Sequence, residues 1–514
     1  MRGAEGPVVA LGLMVLAVAV RDPRYLLTRS FWLDEGWVVD SVRAPLHQLD
    51  LLTSSTPIGW TLLLRLVPPV GGPERYRLLP LAFAAVCALA AWWLGRLVAP
   101  ADRASWAWLY GLCCGLAGAA SAAVLSHTWL KQYTAEAFVA LALAVLLARV
   151  ERAWSWRTLA AFAAAGVAGF LVSNTAPLVT AAGMAGLWLT SLAGRRWSRL
   201  PALAATTAGL ALADGVLYQV LASSGGTLPL RRYWRLRYLS LDDGVGDAAH
   251  LIWQRLAAEL GSLGWGPWWL ALALIGVGLV TLWRAGLPAL ALAVPAVAAE
   301  LVVLGFAGAY PFLEPRTVIF YATLLTVTAA AGLATLIRLG LGRRVTAPVA
   351  VAGAVLVALL LVPGWVRAGR GDVPGEDVEA QVADVLARSR PGDPVLVTFA
   401  ATFSFAYYWP DHPTFVPTTV NTAVGFMPTF PGRPELLLVH QPRSPRAMVD
   451  GLERGLRLGR GRVWVVTGSL DELATLRRRA PGVRFTTRPG RATLAVAAGG
   501  PWLSSQPESQ GRKA

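Results

Sequence analysis

Two adjacent acidic residues, Asp34 and Glu35, lie within the aromatic sequence FWLDEGW at residues 31–37. A carboxylate at the edge of a hydrophobic segment is costly, so such a residue is a candidate for function. Neighbouring residues do not share a helix face, and the two acids should therefore do different work. One could take a proton from a hydroxyl as a general base, while the other orients an acceptor or helps to bind a divalent cation. The structural alternative is that both acids stabilise the first turn of a helix.

A lysine stands out in the short polar segment SHTWLKQYTAE, at residues 126–136. Lys131 lies two residues before Tyr133, and its ammonium group could hold an anionic headgroup as a point charge. The alternative is that this lysine only anchors the chain at a membrane surface.

Arginines occur in two further segments that are rich in aromatic residues. Arg316 belongs to AYPFLEPRTVIF (309–320), and its guanidinium could bind phosphate through two hydrogen bonds or be neutralised by Glu314. Arg232 belongs to RRYWRLRY (231–238), a mixture of basic and aromatic residues that often rests on lipid headgroups. It is therefore the weaker phosphate candidate.

These residues are carried by a chain that is too apolar for a soluble protein. Of its 514 residues, 55% are hydrophobic and 15% charged, with a mean hydropathy of +0.52, whereas soluble domains carry about 25% charged residues. Apolar runs of about 20 residues, enough to cross a bilayer, recur as far as residue 366. We expect the first run to be retained as a helix, the alternative being a cleaved signal peptide. In all they predict about eleven membrane-spanning helices, at 4–20, 76–99, 104–126, 133–149, 158–173, 176–193, 200–222, 266–283, 286–307, 317–338 and 346–366.

Arginines are concentrated in every second loop between these runs. With a cytoplasmic N-terminus those loops face the cytoplasm, and the short loops on the other side contain only Lys131 and Arg316 as basic residues. The pattern predicts a multi-pass protein of the plasma membrane whose segments 126–136 and 309–320 face outward. Much of the net charge of +16 is therefore a signal of topology, and nucleic-acid binding explains it poorly.

Several other functions lack support in the sequence. The cysteines Cys87, Cys113 and Cys114 all fall in predicted spans, which indicates small buried residues rather than a disulfide framework. The five histidines form no HExxH or comparable pair, so no histidine-based metal site is indicated. Neither a Walker loop nor a GxGxxG motif after a strand is present, so nucleotide-dependent chemistry is not supported.

The sequence pattern changes near residue 370, from long apolar runs to short ones. Short apolar segments alternate with helix-like stretches, which predicts a small extracytoplasmic α/β domain. Its expected strands lie at 394–400, 435–440, 462–468, 484–488 and 492–498, and its helices at 376–390, 444–456 and 470–480. The predicted domains are a membrane domain at 1–370 with extracytoplasmic loops 21–75 and 223–265, the α/β domain at 371–502, and a disordered tail at 503–514.

The order of the motifs resembles that of the GT-C glycosyltransferases. WLDE follows the first span, and TPIGWTLLLRL, KQYTAE and YPFLEPR come after it. Within that superfamily the chain looks most like the protein O-mannosyltransferases, the lipid A aminoarabinose transferases and related bacterial enzymes. The resemblance covers most of residues 1–340. It implies an all-α polytopic membrane domain with a C-terminal extracytoplasmic α/β domain.

Such an enzyme would move a sugar from a polyprenyl-phosphate donor to an acceptor hydroxyl on the extracytoplasmic side, with inversion. The donor would carry a hexose or a pentose, and the acceptor would be a glycan, a protein, a lipid or an exported metabolite. The chain lacks the β-trefoil insertion of eukaryotic mannosyltransferases, which argues against that specific activity. The main alternative is a transporter or flippase of lipid-linked sugars, but its charges would lie deep within the spans. Here they are concentrated in loops.

The resemblance also assigns roles to residues of this sequence. Asp34 is the expected general base, with Glu35 beside it near the acceptor. No cofactor is implied with certainty, although Asp34 and Glu35 could bind a divalent cation. The remaining expected site residues are Lys131, Tyr133, Arg316 and Arg232 around the donor phosphate, and Trp32, Glu136 and Tyr310 on the acceptor side of the cavity.

Overall fold

The computed structural model describes most of the chain and divides it into two units. The first, here the membrane unit, comprises Met1–Thr28 and Thr53–Gly371, and the second, the C-terminal unit, comprises Arg29–Leu52 and Asp372–Ala514. The predictions for Arg232 and for the tail at 503–514 fall outside the described residues. The described ranges are 5–53, 56–68, 72–100, 104–127, 129–222, 233–242, 244–341, 347–369, 377–418, 424–442, 444–488 and 491–497.

Helices dominate both the membrane unit and the segment 29–52. In chain order the α-helices are α1 (Glu5–Ala19), α2 (Pro23–Leu26), α3 (Leu33–Arg43), α4 (Leu49–Thr53), α5 (Ile58–Arg65), α6 (Leu78–Val98), α7 (Ala104–Ala119), α8 (Ala122–Ser126), α9 (Tyr133–Arg152), α10 (Trp156–Phe170), α11 (Ala176–Ala193), α12 (Leu200–Ala222), α13 (Val245–Ser262), α14 (Trp268–Arg284), α15 (Pro288–Phe306), α16 (Ile319–Leu341), α17 (Ala347–Gly369), α18 (Val378–Arg388), α19 (Thr402–Tyr408), α20 (Pro445–Leu458) and α21 (Leu470–Arg479).

The predicted membrane spans agree with these helices. Each of the apolar runs found in the sequence coincides with a helix from α1, α6 to α12 or α14 to α17. Within the described residues, seven segments have the length and apolar composition needed to cross a membrane, and α1 and α14 are shorter apolar helices. The chain is therefore a multi-pass membrane protein, as predicted.

Basic and aromatic side chains meet at one end of the helical bundle. The guanidinium of Arg96 lies 4.8 Å from the centroid of the Trp92 ring, and that of Arg149 lies 5.5 Å from the Trp93 ring. Arginine and tryptophan both favour the headgroup layer of a bilayer. Because Arg149 is in the last turn of α9, this end of the bundle is opposite to the one where α9 begins.

The C-terminal unit contains a mixed five-stranded sheet. Its strands are arranged in the order β4-β1-β5-β7-β6, with β1 parallel to β4 and β5 and the remaining pairs antiparallel. A separate antiparallel pair joins β2 and β3. The strands are β1 (Val395–Val397), β2 (Thr414–Pro417), β3 (Phe426–Thr429), β4 (Leu436–Leu438), β5 (Arg462–Val466), β6 (Val483–Thr486) and β7 (Thr493–Ala497).

The predicted α/β pattern of this unit is confirmed. The five predicted strands correspond to β1, β4, β5, β6 and β7, and the three predicted helices to α18, α20 and α21. The buried β1 residues Val395 and Val397 pack in one core with Val385 of α18 and Phe405 of α19. Two features were not foreseen, namely the β2–β3 pair and α19.

The segment Arg29–Leu52 also departs from the sequence-based division. The prediction placed it in the first loop of the membrane domain, whereas its contacts group it with the C-terminal unit. The physical reason is its aromatic content, because Phe31 and Trp37 pack against aromatic residues of α19. The motif FWLDEGW therefore belongs to the core of the C-terminal unit.

Candidate active site

Asp34 and Glu35 occupy the first turn of α3. The helix begins at Leu33, and the amide groups of Glu35 and Gly36 donate to the carbonyl oxygen of Trp32 at 3.0 and 2.8 Å. Acids in this position are stabilised by the positive end of the helix dipole, so the structural alternative raised by the sequence holds. Asp34 is 5% exposed and Glu35 fully buried. Their burial goes beyond what a simple first-turn acid requires.

Glu35 has a specific cationic neighbour. Its Oε1 accepts a hydrogen bond from Nη2 of Arg29 at 3.0 Å, and both side chains are buried. Breaking such a pair by removing one partner leaves a buried charge without compensation. Glu35 is therefore held in a buried ion pair.

Helix α3 packs closely against α19 at Gly36. A Cβ atom at this position would lie 2.5 Å from the amide nitrogen of Ser404 and 2.8 Å from the carbonyl carbon of Phe403. The ring of Trp37 meets that of Phe403 edge-on, with centroids 6.0 Å apart. Glycine thus allows the two helix backbones to approach each other immediately after the acidic pair.

Asp40 is a third carboxyl group on α3, and sequence reasoning missed it. It is 2% exposed, and its Oδ2 atom has no hydrogen-bond partner among the described residues. Burial raises the pKa of Asp40 well above its usual range, although the charge of Arg43 acts in the opposite direction. The sequence did contain a signal for this site, namely an acidic residue inside the apolar run VVDSV.

In the membrane unit, Lys131 lies in a loop that is fixed from two sides. The indole Nε1 of the fully buried Trp60, on α5, donates to the carbonyl oxygen of Leu130 at 2.9 Å. On the other side, α9 begins at Tyr133, whose ring centroid is 6.0 Å from Nζ of Lys131. The sequence TPIGW thus contributes a side chain that positions this loop.

Four polar residues, Lys131, Gln132, Glu136 and Tyr310, lie at the start of α9. Nε2 of Gln132 donates to Oε1 of Glu136 at 3.3 Å, and Lys131 interacts electrostatically with the same carboxyl group. The hydroxyl of Tyr310 donates to the carbonyl oxygen of Thr317 at 2.6 Å. Burial, chiefly, raises the pKa of Tyr310 well above its usual value, and the nearby Glu136 contributes. Tyr310 and Glu136 therefore lie in one cluster.

His127 also belongs to this cluster, where its ring packs against that of Tyr133. Its ring contacts those of Trp129 and Tyr133, with centroids 5.2 and 5.8 Å away, and its Nδ1 lies 2.9 Å from the carbonyl oxygen of Ala123. Burial lowers the pKa of His127 to about 4, the bond to Ala123 opposes this, and the charge of Arg316 lowers the pKa further. His127 is therefore a neutral imidazole near Arg316 at neutral pH.

Arg316 is held by aromatic and acidic neighbours. Its Nη2 donates to the hydroxyl oxygen of Tyr233 at 3.2 Å, its guanidinium lies 5.7 Å from the Trp234 ring, and its Nε is 4.0 Å from Oε1 of Glu314. Glu314 also approaches Nε of Arg237 at 3.2 Å. Two arginines thus approach one carboxylate.

The loop that carries Arg316 is braced by the segment before α13. The amide of Phe312 donates to the carbonyl oxygen of Arg237 at 3.1 Å, and Arg255 of α13 donates to both Phe312 and Arg237 carbonyl oxygens. Leu313 adopts a left-handed backbone with φ of 46°, a conformation that costs a non-glycine residue energy. The strained turn lies three residues before Arg316.

The structure sorts the expected site residues into two groups. Within the membrane unit, one cluster at the beginning of α9 contains Lys131, Tyr133, Glu136, Tyr310 and Arg316. Within the C-terminal unit, Trp32, Asp34 and Glu35 lie together at the start of α3. In the described part of the chain, no group of three or more His, Cys, Asp or Glu side chains could hold a metal ion.

Solved structures of ArnT from Cupriavidus metallidurans share the architecture of this chain. Its apo state is similar with a TM-score of 0.59 and 15% identity, over 96% of this chain and 99% of that protein. ArnT bound to undecaprenyl phosphate is similar with a TM-score of 0.54 and 14% identity, over 98% and 100%. The chain therefore has the ArnT-like GT-C fold.

A weaker similarity links this chain to the oligosaccharyltransferase of Archaeoglobus fulgidus. Its TM-score is 0.48, with 11% identity over 89% of this chain and 67% of the other. No protein-family model and no curated protein sequence matches the chain. The similarity to ArnT is therefore one of structure, at 14–15% sequence identity.

Proposed function

We propose that this protein is an inverting membrane glycosyltransferase that uses a polyprenyl-phosphate-linked sugar as its donor. The observation that carries the proposal is the similarity, over 98% of the chain, to ArnT with undecaprenyl phosphate bound. The acceptor is a hydroxyl group on the extracytoplasmic side of the membrane. The arginine bias of the predicted short loops supports that orientation.

Lys131 and Arg316 would bind the phosphate of the donor. Both are cations, and both belong to the polar cluster where α9 begins, with Tyr133 and Tyr310 close by. The two arginines that approach Glu314, Arg237 and Arg316, support binding of an anionic ligand there. The expected contribution of Arg232 remains part of the proposal, and the aromatic segment that follows it lies against Arg316.

Asp34 would act as the general base. Its carboxylate takes the proton of the acceptor hydroxyl while that oxygen attacks the anomeric carbon. The bond between this carbon and the phosphate oxygen breaks, and the phosphate leaves with charge that the two cations stabilise. A single displacement inverts the anomeric centre. One carboxylate suffices, since phosphate hardly needs a proton to leave, unlike the leaving groups of glycosidases.

The neighbours of Asp34 would complete the acceptor side of the site. The buried pair of Glu35 and Arg29 supports a role for Glu35 in holding this segment. Trp32 and Glu136 remain the expected lining of the acceptor side, and binding of a divalent cation by Asp34 and Glu35 also remains a prediction. The donor sugar is a hexose or a pentose.

A donor panel tests the proposal directly. The purified protein in lipid vesicles is incubated with undecaprenyl phosphates that carry radiolabelled mannose, arabinose or aminoarabinose, and with bacterial membranes as the source of acceptors. We expect one label to appear on an acceptor, and Asp34→Asn to prevent this. Movement of a lipid-linked sugar across the vesicle without transfer would instead establish a flippase. Equal transfer by wild type and Asp34→Asn would refute the assignment of the base.

A further inference from the structure

The N-terminal end of α3 is attached to a helix encoded 377 residues later. The amide of Phe31 donates to the hydroxyl oxygen of Tyr408 at 3.0 Å. The Phe31 ring also stacks on Tyr408, with centroids 5.9 Å apart, and meets Tyr407 edge-on at 5.3 Å. The backbone three residues before Asp34 is therefore fixed by both polar and aromatic contacts.

The C-terminal end of α3 is attached to the same helix. Nη1 of Arg43 donates to the carbonyl oxygen of Tyr407 at 2.8 Å, and its guanidinium carbon lies 3.4 Å from the centroid of the Tyr407 ring. Between the two ends, Gly36 allows the close approach to Ser404. A helix held at both ends and in its middle cannot rotate or slide without breaking one of these contacts.

Helix α19 is in turn connected to the central sheet. Oγ1 of Thr402 donates to the carbonyl oxygen of Thr398 at 3.1 Å, and the Thr398 amide donates to Val466 of β5 at 3.0 Å. Phe405 stacks on Trp409, with centroids 4.8 Å apart. A continuous series of contacts therefore runs from the sheet through α19 to the start of α3.

We propose that α19 positions Asp34 for the reaction, with Tyr408 and Tyr407 as positioning residues that act through Phe31 and Arg43. This inference rests on the proposed function, because it gives the C-terminal unit a part in catalysis by Asp34. The position of a general base strongly affects the rate, and a displacement of about 1 Å can reduce it about 100-fold. Loosening α3 should therefore lower turnover.

Tyr408→Phe is the sharpest test, because it removes the hydroxyl that accepts the Phe31 amide hydrogen and keeps the ring. We expect kcat to fall about tenfold, while the KM for the active undecaprenyl-phosphate sugar and the Kd for undecaprenyl phosphate itself stay unchanged. Tyr218→Phe makes the same chemical change on an exposed residue of α12 and should leave all three values at the wild-type level.

A second variant and a second measurement keep the test informative. Arg43→Leu should also lower kcat selectively, and Arg43→Lys should restore part of the loss. Hydrogen–deuterium exchange of the peptide containing residues 31–43 should be faster in Tyr408→Phe, with the melting temperature of the whole protein unchanged. Wild-type kcat in Tyr408→Phe would overturn the inference, whether or not exchange is faster. A parallel loss of undecaprenyl phosphate binding would also overturn it, since that indicates a general defect.

The proposed function and this inference can fail separately. If the wild-type protein transfers no sugar from any donor of the panel, the proposed function fails, and the exchange measurement still decides whether Tyr408 holds α3. If the wild type transfers sugar and Tyr408→Phe does so equally fast, only the inference fails.

Discussion

The two groups of candidate residues are positioned in different ways. In the membrane unit, Lys131 and Arg316 lie in loops that directly precede the membrane-spanning helices α9 and α16, and neighbouring loops brace them. In the C-terminal unit, Asp34 is placed by a helix that packs on a partner distant in sequence. The comparison indicates that the two groups should respond differently to substitution, the first through donor binding and the second through turnover.

Asp34→Asn should have the largest effect and separates the two groups most clearly. Loss of a general base lowers turnover by about 10²–10⁴-fold, whereas binding of undecaprenyl phosphate should be unaffected. Asp450→Asn is the matched control, because it changes an exposed carboxylate of the same unit, on α20. The comparison breaks down if Asp34→Asn weakens undecaprenyl phosphate binding instead of turnover.

Lys131→Ala and Arg316→Ala should show the opposite behaviour. Each removes one charged contact, which is worth about 1.5–3 kcal/mol, so the KM for the donor should rise by about 10–100-fold. Arg284→Ala is the control, since Arg284 is an exposed arginine in the last turn of α14, at the opposite end of the bundle. Kinetics with varied donor concentration check the prediction, and an unchanged KM for the donor would contradict it.

Gly36→Ala sharpens the comparison by disturbing the packing of α3 without touching a charge. The added methyl group would clash with the backbone of α19, and such overpacking costs about 1–3 kcal/mol. We expect a lower unfolding temperature together with reduced turnover. Gly246→Ala, on α13, has open space around the new methyl group and should retain the stability and turnover of the wild type.

The smallest effects concern pH, and here the two units should behave in opposite ways. The pKa of Asp40 is raised on folding, so the folded C-terminal unit binds that proton more tightly than the unfolded chain. The stability that Asp40 contributes is therefore fully present below about pH 3.9, the unfolded value, and is lost as the pH rises toward its raised folded pKa. Asp40→Asn should remove this dependence. It should also raise the melting temperature at pH 7 by a few degrees, which corresponds to about 1 kcal/mol in the free energy of unfolding.

His127 should give the reverse dependence in the membrane unit. Its pKa is lowered to about 4, so the stability that it contributes is present above about pH 6.5, the unfolded value, and is lost as the pH falls toward 4. His127→Gln should make unfolding less sensitive to acid between these values. An unchanged pH dependence of the melting temperature in this variant would contradict the prediction.

Local patterns in the sequence predicted most of the fold. Long apolar runs located the membrane-spanning helices, and β1, β4, β5, β6 and β7 were recognisable because each is a short apolar segment between helical stretches. The β2–β3 pair escaped notice because its strand Thr414–Pro417 is largely exposed and has no apolar pattern. Helix α19 escaped because four of its seven residues, TFSFAYY, are aromatic and six are buried, so that no helical periodicity is visible.

The candidate site was predictable residue by residue but not in its arrangement. Lys131, Tyr133 and Glu136 are close in sequence, so their proximity follows from one helix start. The attachment of Phe31 to Tyr408 joins two aromatic segments whose pairing no local pattern specifies. Asp40 was missed because it lies within an apolar run, and its burial depends on contacts that only the folded unit provides.

The division of the chain has a consequence for biosynthesis. Residues 29–52 leave the ribosome early, but their partners on α19 follow only after the whole of Thr53–Gly371 has been made. At about 5–20 residues per second, the acidic motif must wait tens of seconds for the helix against which it folds. A chain interrupted before residue 402 would contain every membrane helix and the motif itself, yet no scaffold for Asp34. The segment can therefore reach its folded position only after α19 has been synthesised.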